Sequence, residues 1–81
     1  MSTNAHIAPS RQLIDAIVDM YVTWREACAA VDACYHRWTG AAPAKRASAF
    51  AAYVSALDRE ERVAGQYRLL LEQVHPAPGI A

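Results

Sequence analysis

No stretch of this sequence approaches the roughly 18 consecutive apolar residues that a membrane-spanning helix needs. Charge of either sign is not in excess: eight basic and eight acidic residues cancel to a net charge of zero. A nucleic-acid binder, which needs a basic face to displace phosphate counterions, is therefore not expected. Nor is a polybasic helix lying on a membrane. The opening residues MSTNAHIAPSRQ have neither a basic n-region nor an apolar h-region, so no cleaved secretory signal is expected. Glycine is scarce, at three residues, and no glycine-rich phosphate loop, zinc-finger cysteine pattern or nucleophile elbow occurs. The two cysteines, Cys28 and Cys34, are too few for a disulfide framework. Six apart on one expected helix, their Cα atoms stand about 9 Å from each other, beyond disulfide reach. They are expected to be free thiols in a reducing compartment.

What the sequence has is helical periodicity. Ile14, Ile17, Tyr21, Trp24, Cys28, Val31, Tyr35 and Trp38 form an unbroken heptad seam. Beside it runs a second row seven apart: Leu13, Met20, Ala27 and Cys34. Asp15, Asp19, Thr23, Glu26 and Arg37 take the other side. This pattern predicts a helix over about 10–39, with Pro9 or Ser10 in its first turn and Gly40 as a left-handed stop. A second seam runs through Phe50, Tyr53, Leu57, Glu60, Ala64, Tyr67, Leu71 and Val74, with Ala49, Ala56, Val63 and Leu70 beside it. It predicts a helix over about 43–75, opened by Pro43 and ended before Pro76. About three residues lie between the helices, which forces them to be antiparallel neighbours. The expected fold is all-α, a single helical-hairpin domain over 1–81 with loose tails at 1–9 and 76–81.

Each apolar stripe covers about three positions in seven, the width found in bundles rather than in two-stranded coils. One neighbour per helix does not cover so wide a stripe. The hairpin is therefore expected to dimerise into a four-helix bundle, with itself or with a helical protein partner. The expected interface is Leu13, Ile17, Met20, Trp24, Val31, Trp38, Leu57, Val63 and Leu70. Glu60 is the one charged residue in the second seam. Counting outward from a bend near Ala41, residue i should lie level with roughly 83 − i, which brings Glu60 to Trp24 and Arg25. Arg25 and Glu60 form a candidate buried polar pair. The alternative is a wet patch at Asp58–Arg62, with those two residues as an ordinary i,i+4 pair. Gly65, in mid-helix, permits either a close helix approach or a bend.

Candidate chemistry is sparse. Asp32 and His36 are four apart and lack the further ligands of a metal site, and no Glu-x-x-His motif occurs. They are expected to face solvent, as are His6 and His75 in the tails. No cofactor, metal or catalytic residue is assigned. A weaker alternative casts Arg11, Arg25, Lys45 and Glu60 as pocket residues of a small helical-bundle enzyme or ligand carrier using the seam around Glu60. Such a set resembles the pockets of all-helical chorismate mutases.

Trp38-Thr39-Gly40, at the bend between two long helices, resembles the signature of the WXG100 (ESAT-6-like) family, small helical-hairpin substrates of type VII secretion. That resemblance implies a four-helix dimer exported without a cleaved signal peptide. Seven arginines against one lysine, with abundant alanine, suit a GC-rich bacterial genome. The first expectation for function is a non-catalytic cytoplasmic interaction or adaptor module acting by helix pairing; a WXG100-like secreted protein is the alternative.

Overall fold

The computed structural model describes residues 10–74. It holds one long helix, α1, over Arg11–Thr39, a 3-10 turn over Pro43–Lys45, and a second long helix, α2, over Arg46–Val74. Among the described residues there is no strand, and the two helices pack against each other as a helical hairpin. The expected tails, with His6 and His75, lie outside the described residues.

Ser10 starts α1. Its backbone is extended, and its hydroxyl accepts the Leu13 N–H at 3.0 Å. This satisfies one of the four amide donors a helix start leaves open, a contribution of about 1 kcal/mol. At the other end, the Gly40 N–H donates to His36 O at 3.1 Å and the Ala41 N–H to Trp38 O at 3.2 Å. His36 and Arg37 place basic side chains on the last turn, where the helix dipole favours them.

Two expectations about the bend need correction. Gly40 is not left-handed: its φ of −98° and ψ of 6° are open to any residue. Thr39 therefore passes into the bend without a glycine-only conformation. Pro43 does not begin an α-helix either. It opens the 3-10 turn, closed by the Lys45 N–H to Ala42 O bond at 2.9 Å, and α2 proper starts three residues later.

The helices meet along the rows beside the two seams. Ala27 is fully buried and Val63 is 7% exposed; they are the only buried residues among those described. Leu13, Met20 and Cys34 flank Ala27 on the same row of α1, and Ala49, Ala56 and Leu70 flank Val63 on α2; all are half-buried. The reason is size. Alanine, cysteine and valine let two helix backbones approach, whereas a row of tyrosine and phenylalanine holds them apart. The hairpin therefore closes on its small side chains and fans its rings to one side.

The register also differs from simple counting. Trp24 stacks on Tyr67, and Trp38 on Tyr53, so the paired numbers sum to 91 rather than to roughly 83. Side chains lean toward the N-terminus of their own helix, away from the bend on α1 and toward it on α2. Side chains that touch thus belong to residues offset along the two axes. The 3-10 turn, with its longer rise per residue, adds to the offset.

Candidate interaction face

The third apolar row of each helix is open. On α1 it holds Ile14, Tyr21, Cys28 and Tyr35; on α2 it holds Phe50, Leu57, Ala64 and Leu71. Tyr21 is 42% exposed, Tyr35 43%, Phe50 45% and Leu57 38%, with Ile14 and Leu71 similarly open. Helical phase puts both rows on the same side of an antiparallel pair, and the contacts confirm it. The Tyr21 ring lies 5.9 Å from Tyr67, Tyr35 lies 5.7 Å from Tyr53, and Phe50 lies 4.9 Å from Trp38. Val18 and Val54 extend the face at its edges. It is one apolar surface, two helices wide, larger than the scattered exposed side chains of an ordinary monomer.

Two aromatic clusters of the same construction stand on this face. In one, Trp24 stacks on Tyr67 with an interplanar angle of 15°, and Tyr21 leans on both. In the other, Trp38 stacks on Tyr53, again at 15°, and Tyr35 leans on both. The sequence writes them as Tyr-x-x-Trp twice on α1, fourteen residues apart, and as two tyrosines fourteen apart on α2. Fourteen residues are two heptads, so both clusters return to one face. The repeat is visible in the sequence as YVTW and YHRW, a signal that the seam alone did not bring out.

Glu60 lies between the clusters. Its carboxylate Oε2 accepts the indole N–H of Trp24 at 2.8 Å and stands 3.9 Å from Cys28 Sγ. The group is half-buried, and a charge-assisted bond from the indole, with weak help from the thiol, offsets its lost hydration. Arg25 is exposed and no ion pair joins it to Glu60, which corrects the expected Arg25–Glu60 pair. The physical cause is helical phase. Arg25 is one residue past Trp24 and so stands about 100° round the helix from it, at the outer edge of the open row and away from Glu60. The alternative Asp58–Arg62 pair does not form either. Among the described residues the one acid–base side-chain contact within 4 Å is His36 Nε2 to Asp32 Oδ1, at 3.5 Å and open to water on both sides.

Of the residues expected at a partner interface, Leu13, Met20, Val63 and Leu70 are covered by the hairpin itself. Ile17, Trp24, Val31 and Trp38 line its centre, half-buried, and Leu57 alone belongs to the open row. Cys28 and Cys34 are free thiols. Gly65 has no close neighbour: a Cβ there would meet only the end of the Arg68 side chain, at 3.9 Å, so no close helix approach depends on it. A shallow depression beneath the bend is lined by Arg37, Lys45 and Ser48 with several alanines. Of Arg11, Arg25, Lys45 and Glu60, only Lys45 lines that depression. Among the described residues no three side chains of metal-ligating type come together, and no helix is long and apolar enough to cross a membrane. No family model, curated protein or solved structure matches the chain.

Proposed function

We propose that the protein is a non-catalytic interaction module, acting in the cytoplasm by laying its open aromatic face against further helices to complete a bundle. One observation carries this reading. Large rings and aliphatic side chains remain half exposed along one side of both helices, while among the described residues the hairpin's own contact buries only Ala27 and Val63. A helix pair with so little interior is marginal alone, because the apolar area removed from water does not offset the entropy of ordering the chain. Covering the open face supplies the missing burial at about 25 cal/mol per Å². The test is the unfolding midpoint of the purified protein across about a hundredfold range of concentration, with molar mass measured alongside. The midpoint should climb with concentration, or climb on adding a bound partner. A monomer that unfolds cooperatively at a midpoint independent of concentration overturns the reading.

A second reading is favoured by the position of Trp38-Thr39-Gly40 at the last turn of α1 and the start of the bend. In that reading the hairpin is exported in the manner of WXG100 proteins. Detection of the protein in the culture medium of its native host, at a level above a cytoplasmic marker, tests it.

A further inference from the structure

We propose that the open face is covered by a second copy of this chain, laid antiparallel with the two bends at opposite ends, about a two-fold axis crossing the hairpin at the level of Cys28 and Glu60. The proposal deepens the interaction reading above by naming the occupant and its register.

The first support is the spacing of the aromatic clusters. Tyr21 and Tyr35 are centred on Cys28 in the sequence, and Tyr53 and Tyr67 are centred on Glu60. Those two midpoints touch, with Cys28 Sγ 3.9 Å from Glu60 Oε2. Both helices therefore have their centre of repetition at one level. Rotation about an axis there sets each aromatic cluster against the other cluster of the second copy. On α2 the same axis brings Leu57 opposite the second copy's Ala64, and Phe50 opposite its Leu71, so large side chains meet smaller or flexible ones.

Charge supplies the second support. Arg25 lies three residues before Cys28 and Asp32 four after it, on the edge of α1 that borders the open face. The axis sets each Arg25 beside the second copy's Asp32, and does so twice. Glu61 meets its own mate only at the rim, where water screens it.

Area is the third. A face two helices wide and 29 residues long measures roughly 20 by 40 Å, or roughly 800 Å², which is what each partner contributes to a standard stable interface.

Two measurements on the full chain test the proposal. In the first, a short bis-maleimide is added to the Cys34→Ala variant, which keeps only Cys28, and to the Cys28→Ala variant, which keeps only Cys34. Cys28 pairs across the axis and should give a covalent dimer within minutes; Cys34, on the closed row, should not. In the second, Arg25→Asp sets like charges together twice and should raise the dimer dissociation constant about tenfold, whereas Arg25→Asp combined with Asp32→Arg restores the opposite pairs and the affinity. A dimer that crosslinks through neither cysteine, or whose double swap fails to recover, overturns the register but leaves the interaction reading standing. An unstable monomer, poorly folded alone, overturns the second copy and leaves that reading with a different partner. A stable, cooperative monomer overturns both.

Discussion

Leu13 and Ile14 are neighbours in the chain and opposites in the fold. Leu13 heads the row Leu13, Met20, Ala27, Cys34, which the second helix covers; Ile14 heads the row Ile14, Tyr21, Cys28, Tyr35, whose large side chains stay about half exposed. The two rows are similar in apolar character and differ in bulk at Met20 against Tyr21, Cys34 against Tyr35, Ala49 against Phe50 and Ala56 against Leu57. Where the close approach occurs, α1 offers Ala27 and α2 offers Val63, Ala56 and Ala49. Where the face stays open, the corresponding positions are Cys28, Ala64, Leu57 and Phe50, with the Tyr21 and Tyr35 rings on either side of Cys28. Hydrophobicity alone thus does not decide which side of a wide stripe closes. Volume does, since helix axes separated by 8–10 Å accept small side chains between them and push rings outward.

The residues shared by both rows should give the largest effect. Trp38 lies at the centre of the stripe, packed on Phe50 and stacked on Tyr53. Trp38→Ala removes the contact that holds the bend end together and should cost about 3 kcal/mol, read by urea unfolding followed by far-UV circular dichroism. A loss below about 1 kcal/mol would mean that the stacked geometry carries little of the fold. Next in size is Ala27→Leu. The site is fully enclosed, and three added carbons must force the helices apart, at about 2 kcal/mol. If this variant is as stable as the parent, the small-residue row does not set the closure.

Much of this was legible in the sequence, and the missing part has a physical cause. Heptad spacing gave both helices to within a few residues, and the short link gave their antiparallel pairing. The seam from Ile14 to Trp38 correctly marked the apolar side, and Glu60 did come to Trp24. What periodicity does not encode is rotation of each helix about its own axis. A stripe three positions wide is compatible with contact through its left, centre or right row, and only side-chain volume breaks the tie. The same ambiguity misplaced Arg25, which stands about 100° round the helix from Trp24, on the outer edge of the stripe. The bend was misread for a different reason. Glycine and proline there suit a left-handed stop and a first α-turn, but a 3-10 turn uses the same residues without either.

The pair at the head of α1 tests the two rows directly. In denaturant titrations at concentrations that keep the chain monomeric, Leu13→Ala should cost about 1 kcal/mol, because Leu13 is half-buried near a helix end, while Ile14→Ala should cost less than about 0.5 kcal/mol. Equal losses at the two sites in the monomer would erase the distinction between closed and open rows. Gly65 sharpens it from the other side. No neighbour needs the space above Gly65, so Gly65→Ala should stabilise α2 by about 0.8 kcal/mol through helix propensity alone, seen as a raised thermal midpoint. A destabilised variant would place a contact on that face that the hairpin does not itself contain.

The smallest expected effect is the one that bears most on the Trp-x-Gly signature. Gly40 has a φ of −98° and a ψ of 6°, and a Cβ there would stand 3.4 Å from the His36 carbonyl oxygen, an ordinary contact. Alanine fits without strain, and the entropy it removes from the unfolded chain offsets the slight crowding. Gly40→Ala should therefore leave the unfolding free energy within about 0.5 kcal/mol of the parent. Trp38 differs, because its ring is held by packing against two residues of α2. The two members of the signature are thus separable: tryptophan is required by the fold and glycine is not. If Gly40→Ala folds normally and the native host stops exporting it, the glycine is read by another protein. If export is unchanged or absent in both forms, the signature at the bend is a by-product of ending one helix and turning into the next.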